Sequence, residues 1–321
     1  MRPSGFADAR VLVTGATGFV SANLTRRLLQ EGANVHLLLR DQSDPWRLAD
    51  VLDRVQIHRA DLREATRLAD VVSAVKPDLI YHCAAFGGYP GETDFDAIVD
   101  TNLRGTINLL QAVSRHSYRC VVHAGSSSEY GMKSAPMKED DILEPITPYG
   151  VTKAAATLYC QMTARATAKP IVTARLFSPY GPYEESGRLI PSVIRACLLG
   201  EDPEVTEGRQ VRDFVFIDDV VDCLLRLPDA GLRPGEILNV GSGRQTSVRD
   251  VVQRIVELTG TSARPRWGTA APRPYETTTW VADLSKVRSL VGWQPMTDLD
   301  EGLRQTIAWF SEHLRLYATT R

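Results

Sequence analysis

Tyr149 and Lys153 stand four residues apart in the stretch TPYGVTKAA, a spacing that puts a phenol and an ammonium on one face of a helix. An ammonium beside a phenol favours the phenolate, so such a pair can pass a proton near neutral pH. An exposed helical pair has the same spacing, and the pair gains meaning from a second stretch, VVHAGSSSEYG. There an apolar strand ends in Ser126, Ser127 and Ser128. Open α/β sheets place ligands at that end of their strands, where a serine hydroxyl can bind the oxygen that Tyr149 protonates.

A third stretch, VLVTGATGFVSANL, places Gly15 directly after an apolar run and Gly18 at the mouth of a helix carrying Leu24, Leu28 and Leu29. Strand, glycine turn and helix make the setting in which backbone amides and the helix dipole grip a pyrophosphate. Ser21 stands where such a turn usually has its third glycine, a position that serves helix–strand packing. Its hydroxymethyl group predicts a small shift of the helix and no loss of the site. After the next strand, NVHLLLR, comes Arg40, with Leu39 before it where an acid would hold the ribose 2′-hydroxyl of NAD. An arginine there pairs with a 2′-phosphate, which favours NADP; a solvated arginine beside Asp41 is the alternative. Asp61 and Leu62, after the third strand, are placed to flank an adenine ring.

The elements that would position these groups alternate. RVLVTG, NVHLLLR, DLIYHCAA, RCVVHAGS and IVTARLF read as strands, and helical patterns stand between them. Such alternation predicts an α/β fold with a doubly wound parallel sheet of the Rossmann kind. We expect a dinucleotide-binding domain over residues 1–177 and a smaller, loop-rich substrate-binding lobe over 178–321. Parts of 211–240 are expected to return to the first domain.

The bounds agree with one enzyme-sized unit. The chain has 321 residues, and 37 Lys and Arg against 39 Asp and Glu give a net charge of -2, which offers no basic field for nucleic acid. The 5 cysteines are scattered and never spaced C-x-x-C, suggesting neither a disulfide framework nor a zinc site and fitting a reduced, cytoplasmic setting. No apolar leader precedes Val11, and no segment is long enough to span a membrane.

Taken in order, TGATGFV, ADL, HCAA, TNLRGT, GSSSEYG, PYGVTK, RLFSPYGP, VRDFVFIDDVV, LNVGSG and DLSKVRSLVGWQP resemble the extended short-chain dehydrogenases/reductases that act on nucleotide sugars. The likeness spans nearly the whole chain. It implies that Gly15, Thr17, Gly18, Phe19, Val20, Ala84 and Ala85 bind the cofactor and that Tyr149 is the acid/base. Lys153 would hold the nicotinamide ribose, and Ser126 would orient the reacting oxygen. Asn102 would support Lys153 through water, with a helix-cap role as the alternative. Arg212 and Arg273 would bind a sugar-nucleotide diphosphate, surface ion pairs being the alternative, and RLIPSVI would line the base.

Ser127, Ser128 and Ser178 would meet the sugar. Ser178 replaces a frequent asparagine, so the sugar contacts should differ. The dehydratases of the group carry a glutamate where this chain has Ser128, which disfavours dehydration; Glu129 is one residue out of step and should point the other way. GSSSEYGM and PYGVTK look like the GDP-4-keto-6-deoxymannose reductases. The expectation is therefore NADP(H)-dependent reduction of a nucleoside-diphosphate 4-keto sugar, with Tyr149 as proton donor. An NAD-dependent nucleotide-sugar 4-epimerase is the alternative, and a cofactor-binding protein without catalysis is a third reading. The resemblance also suggests a homodimer through the helices holding Asn102–Val113 and Tyr149–Ala164.

Overall fold

The structure, a computed structural model, describes residues 5–88, 92, 94–271 and 277–317. Its first half runs β1 (Arg10–Thr14), α1 (Phe19–Gln30), β2 (Asn34–Leu39), β3 (Gln56–Arg59), α2 (Ala65–Val75) and β4 (Leu79–His82). It continues through α3 (Phe95–Val99), α4 (Gly105–Val113), β5 (Cys120–Ser126), α5 (Pro148–Thr167) and β6 (Ile171–Leu176). Strands β1, β2, β4, β5 and β6 stand where the apolar runs predict them; β3, largely exposed, has no such run. In β1, Val11 and Val13 enter the core on one face of the sheet while Leu12 joins Leu68, Leu109 and Cys160 on the other. The period of two thus feeds two cores, as a sheet covered on both faces requires.

The second half is built of shorter pieces: β7 (Ser178–Tyr180), α6 (Leu189–Leu199), β8 (Glu204–Val205), β9 (Val211–Arg212), β10 (Phe214–Phe216) and α7 (Ile217–Arg226). Then follow β11 (Ile237–Val240), β12 (Thr246–Ser247), α8 (Val248–Thr259), β13 (Arg266–Trp267), α9 (Ser285–Val291) and α10 (Leu299–His313). Strand β11 returns to the main sheet, whose order is β11-β6-β5-β4-β1-β2-β3 with every neighbouring pair parallel. The remaining short strands pair two by two, β7 with β10, β9 with β12 and β8 with β13. Chain direction across the sheet reverses between β1 and β4, and the crevice beyond their C-terminal ends is where such sheets hold a dinucleotide. Among the described residues, no helix is long and apolar enough to cross a membrane.

Candidate active site

At that crevice Gly15 has a φ of +66°, and a Cβ on it would lie 2.5 Å from the Ala84 Cα. A glycine is required on both counts, conformation and close approach. Gly18 precedes α1, and no side chain caps that helix, so the amides of Phe19 and Val20 in its first turn are placed for an anion. The Thr17 carbonyl accepts from Arg47 Nη1 at 3.1 Å. Ser21 is buried and its hydroxyl meets the Cys83 sulfur, so it joins α1 to the segment after β4 as a packing residue. Ala84 and Ala85 begin that segment. The set fits a nicotinamide dinucleotide: a side-chain-free cradle, unspent amides and a helix N-terminus at the switch point.

Arg40 follows β2 and is exposed. Its charge acts on Asp61, whose carboxyl is also engaged by Arg63 Nη2 at 2.7 Å. Burial works to raise the Asp61 pKa, but the Arg63 bonds outweigh it and hold the group below its ordinary value. Leu62 is buried against Gly105, and its carbonyl accepts from Asn108 Nδ2 at 2.8 Å.

Helix α5 starts at a capping Thr147, whose hydroxyl accepts from the Gly150 amide at 3.0 Å, and Pro148 fills the first helical position. A Cβ on Gly150 would fall 2.5 Å from the Ser128 carbonyl, so the bare glycine lets this helix end close on the serine turn. Tyr149 and the three serines are thereby brought together. The Tyr149 ring is half-buried beside Gly88, whose carbonyl accepts from Arg188 Nη2 at 3.0 Å. One turn on, Lys153 is buried and its ammonium donates to the Ala124 carbonyl at 2.6 Å. Burial pushes its pKa below the ordinary lysine value.

Ser126 Oγ accepts from the Ser128 amide at 3.1 Å, which fixes the turn. Glu129 points into the core, where its carboxylate accepts from the Ser126 amide at 2.8 Å and Thr157 Oγ1 at 3.0 Å and pairs with Arg175 Nε at 2.8 Å. Ser127 is only 5% exposed and accepts from the indole Nε1 of Trp280 at 3.1 Å. The Arg212 guanidinium lies 5.3 Å from the Trp280 ring centroid and donates to Thr277 Oγ1 at 2.9 Å. Ser127, Trp280 and Arg212 form one column joining the serine turn to the second lobe. Sequence reading missed Trp280, whose only signal is a large aromatic following three threonines.

Asp213 ties the chain beside Arg212. Fully buried, it accepts from Ser242 Oγ and the Ser242 amide, each at 2.6 Å, from Ala282 N at 3.0 Å and from Gly243 N at 3.1 Å. Ser178 opens β7, and its amide donates to the Asp213 carbonyl at 3.0 Å. Arg273 lies outside the described residues. In RLIPSVI, Ile190, Pro191, Val193 and Ile194 are buried in the core, so the stretch reads as an apolar helix start. The helix-cap alternative for Asn102 is corrected: it lies inside a π-helical turn, Asp100–Arg104, and its amide bonds Phe86 and Thr152. Among the described residues, no cluster of His, Cys, Asp or Glu is arranged to hold a metal ion.

Comparison with known proteins agrees with this geometry. Residues 11–241 match the profile of the NAD dependent epimerase/dehydratase family. A UDP-glucose 4-epimerase of Mycolicibacterium smegmatis is 32% identical over 316 residues, spanning 94% of this chain and 98% of that protein. The epimerase Mth375 of Methanothermobacter thermautotrophicus superposes with a TM-score of 0.91 at 28% identity, over 99% of this chain and 96% of that one. MoeE5, solved with UDP-glucose and NAD, superposes with a TM-score of 0.84 at 33% identity, covering 95% and 99% of the two chains.

Proposed function

Since the chain belongs to the NAD dependent epimerase/dehydratase family, as an enzyme of the extended short-chain dehydrogenase/reductase type acting on nucleotide sugars, we propose that it inverts C4 of a UDP-hexose. One observation carries the choice of chemistry. The only carboxylate of the GSSSEYG stretch is committed to Arg175 in the core, so that stretch offers the site its serine hydroxyls and no free carboxylate. A serine turn that offers no second acid or base is suited to proton and hydride exchange at one carbon and not to expulsion of water from its neighbours. The full-length likeness to a UDP-glucose 4-epimerase and to a protein solved with UDP-glucose and NAD supports the substrate class and the reversible direction.

A bound nicotinamide would take up the C4 hydride and give it back. The protein's part is to hold and aim the groups around it. Tyr149 takes the proton from the sugar C4 hydroxyl and returns it, while the Lys153 ammonium stabilises the phenolate. Ser126 holds the reacting oxygen. Gly15, Gly18 and the amides of Phe19 and Val20 would grip the pyrophosphate, and Arg212 the substrate diphosphate.

Arg40 favours a second reading, NADPH-dependent reduction of a 4-keto sugar, because an arginine at the end of β2 suits a 2′-phosphate. Incubation with UDP-glucose and NAD separates the two. Epimerisation yields the C4 epimer by NMR with no net reduced cofactor. Absence of the epimer, together with NADPH consumption by a UDP-4-keto sugar, would replace the first reading by the second. Arg40→Ala sharpens this: under the reductive reading it weakens NADPH more than NADH by about 1–3 kcal/mol, measured by competition titration. Equal weakening of both cofactors removes Arg40 from cofactor choice.

A further inference from the structure

We infer that His82 is a positioning residue of this enzyme: its imidazole locks the cofactor turn to the helix that carries Tyr149. The inference deepens the reading above, resting on Gly15–Val20 as the cofactor turn and Tyr149 as the acid/base.

His82 ends β4 and is 1% exposed. Its Nδ1 lies 2.7 Å from Thr14 Oγ1, on the residue before Gly15, and its Nε2 lies 2.8 Å from Thr106 Oγ1 on α4. Thr106 Oγ1 is also 2.6 Å from the Asn102 carbonyl. A carbonyl only accepts, so the Thr106 hydroxyl proton is spent there, and its oxygen must accept from His82. The imidazole therefore carries its proton on Nε2, and the bare Nδ1 accepts from the Thr14 hydroxyl. The Thr14 oxygen then takes the Ala84 amide, 3.3 Å away. One direction of donation satisfies every member.

The path continues past Asn102. Its Oδ1 accepts from the Phe86 amide at 2.8 Å, which fixes the amide orientation. Its Nδ2 donates to the Phe86 carbonyl and to Thr152 Oγ1, each at 2.9 Å. Thr152 in turn donates to the Tyr149 carbonyl at 3.0 Å. The chain thus joins the residue before the glycine turn, the segment after β4 that crowds Gly15, the π-helical turn and the backbone of Tyr149. His82 is its only aromatic link and the only one spanning from β1 to α4. Remove it and the cofactor turn and the tyrosine stay joined only through the Ala84–Phe86 segment, by the long Ala84 amide bond to Thr14.

The ring is kept neutral, as the bonding requires. Burial pushes its pKa down to about 3, and the Lys153 charge acts the same way. His123, whose ring centroid lies 5.2 Å from that of His82, is also buried and pushed below its ordinary value, so no second cation crowds Lys153.

The test compares His82→Leu, which severs the chain, with His82→Gln, whose amide can still accept on one side and donate on the other. NADH and NADPH binding is read by cofactor fluorescence, turnover with UDP-glucose at saturating cofactor, and stability by melting. His82→Leu should weaken the bound cofactor about tenfold and lower turnover about ten- to a hundredfold, the range expected when a reacting group is misplaced at a distance. His82→Gln should restore both to within about threefold. A core truncation of equal melting loss in the second lobe, Val251→Ala, should leave cofactor affinity unchanged. Wild-type affinity and turnover in His82→Leu, or a His82→Gln no better than it, overturns the inference. Should His82→Leu not fold, Thr106→Val carries the test, and unchanged affinity and turnover there overturns it equally. Cofactor binding needs no sugar, so wild-type protein that binds cofactor but leaves UDP-glucose untouched counts against the proposed substrate and not against His82.

Discussion

In the first half of the chain the polar site residues stand at the ends of long regular elements, whereas in the second half they stand on paired strands of two or three residues. Thr14, His82 and Ser126 each end a strand of the seven-stranded sheet, and Tyr149 and Lys153 lie on one turn of a 20-residue helix. Their places follow from backbone pairing over many residues. Arg212 sits on a two-residue strand, and beside it the buried carboxylate of Asp213 ties the chain by accepting four donors from residues 242, 243 and 282. A ladder spreads the positioning over many weak bonds; a buried charge concentrates it in one group.

The contrast predicts separable failures. Tyr149→Phe keeps the whole frame and removes one proton, so turnover should fall about a hundredfold or more while NADH affinity stays near wild type. Activity within a few fold would take Tyr149 out of the mechanism. Asp213→Ala leaves three backbone amides without their acceptor, and should destabilise the protein by roughly 3 kcal/mol or more. Its mark is a raised KM for UDP-glucose with cofactor affinity intact; equal damage to both would show that the lobes do not divide the work in this way.

The two lobes should also respond oppositely to pH. His36 and His82, both in the first sheet, are pushed by burial down to about 4 and about 3. Their folded values lie below the ordinary 6.5, so the stability they contribute is present above pH 6.5 and is lost as pH falls towards the folded values. Each contributes up to about 1.4 kcal/mol per pH unit of that window. Glu184, between β7 and α6, is raised by burial to about 8. Its contribution is present below the ordinary 4.5 and lost as pH rises through 8. Hydrogen exchange at pH 5 and pH 9 should show the sheet loosening first in acid and the segment around Glu184 first in base. The reverse order would break the comparison. The smallest effect concerns Ser21→Gly, which should change cofactor affinity by less than roughly 1 kcal/mol, because the hydroxyl meets Cys83. A larger change by titration would mean that Ser21 touches the cofactor.

The same contrast explains what the sequence let one read. The apolar runs placed five of the six early strands, all but the largely exposed β3, and the four-residue spacing placed Tyr149 with Lys153, because these are local patterns. The return of β11 to the sheet was legible only as an expectation for 211–240. Trp280 stands 153 residues from the serine whose hydroxyl it engages, and no local pattern encodes that distance. His82 was visible only as a letter in HCAA, since its role depends on three other elements meeting it. The π-helical turn at Asp100–Arg104 likewise has no signature in TNLRGT, and without it Asn102 looked like a cap.

Arg47 is buried, and it donates at once to the Thr17 carbonyl of the cofactor turn at 3.1 Å, to the Tyr183 carbonyl at 2.7 Å and to Glu185 at 2.6 Å in the second lobe. One guanidinium therefore ties the glycine loop to the segment after β7. A dinucleotide gripped by this loop as proposed would leave no faster than the Arg47 bonds yield, which would make the guanidinium a determinant of residence time, separate from the strength of binding.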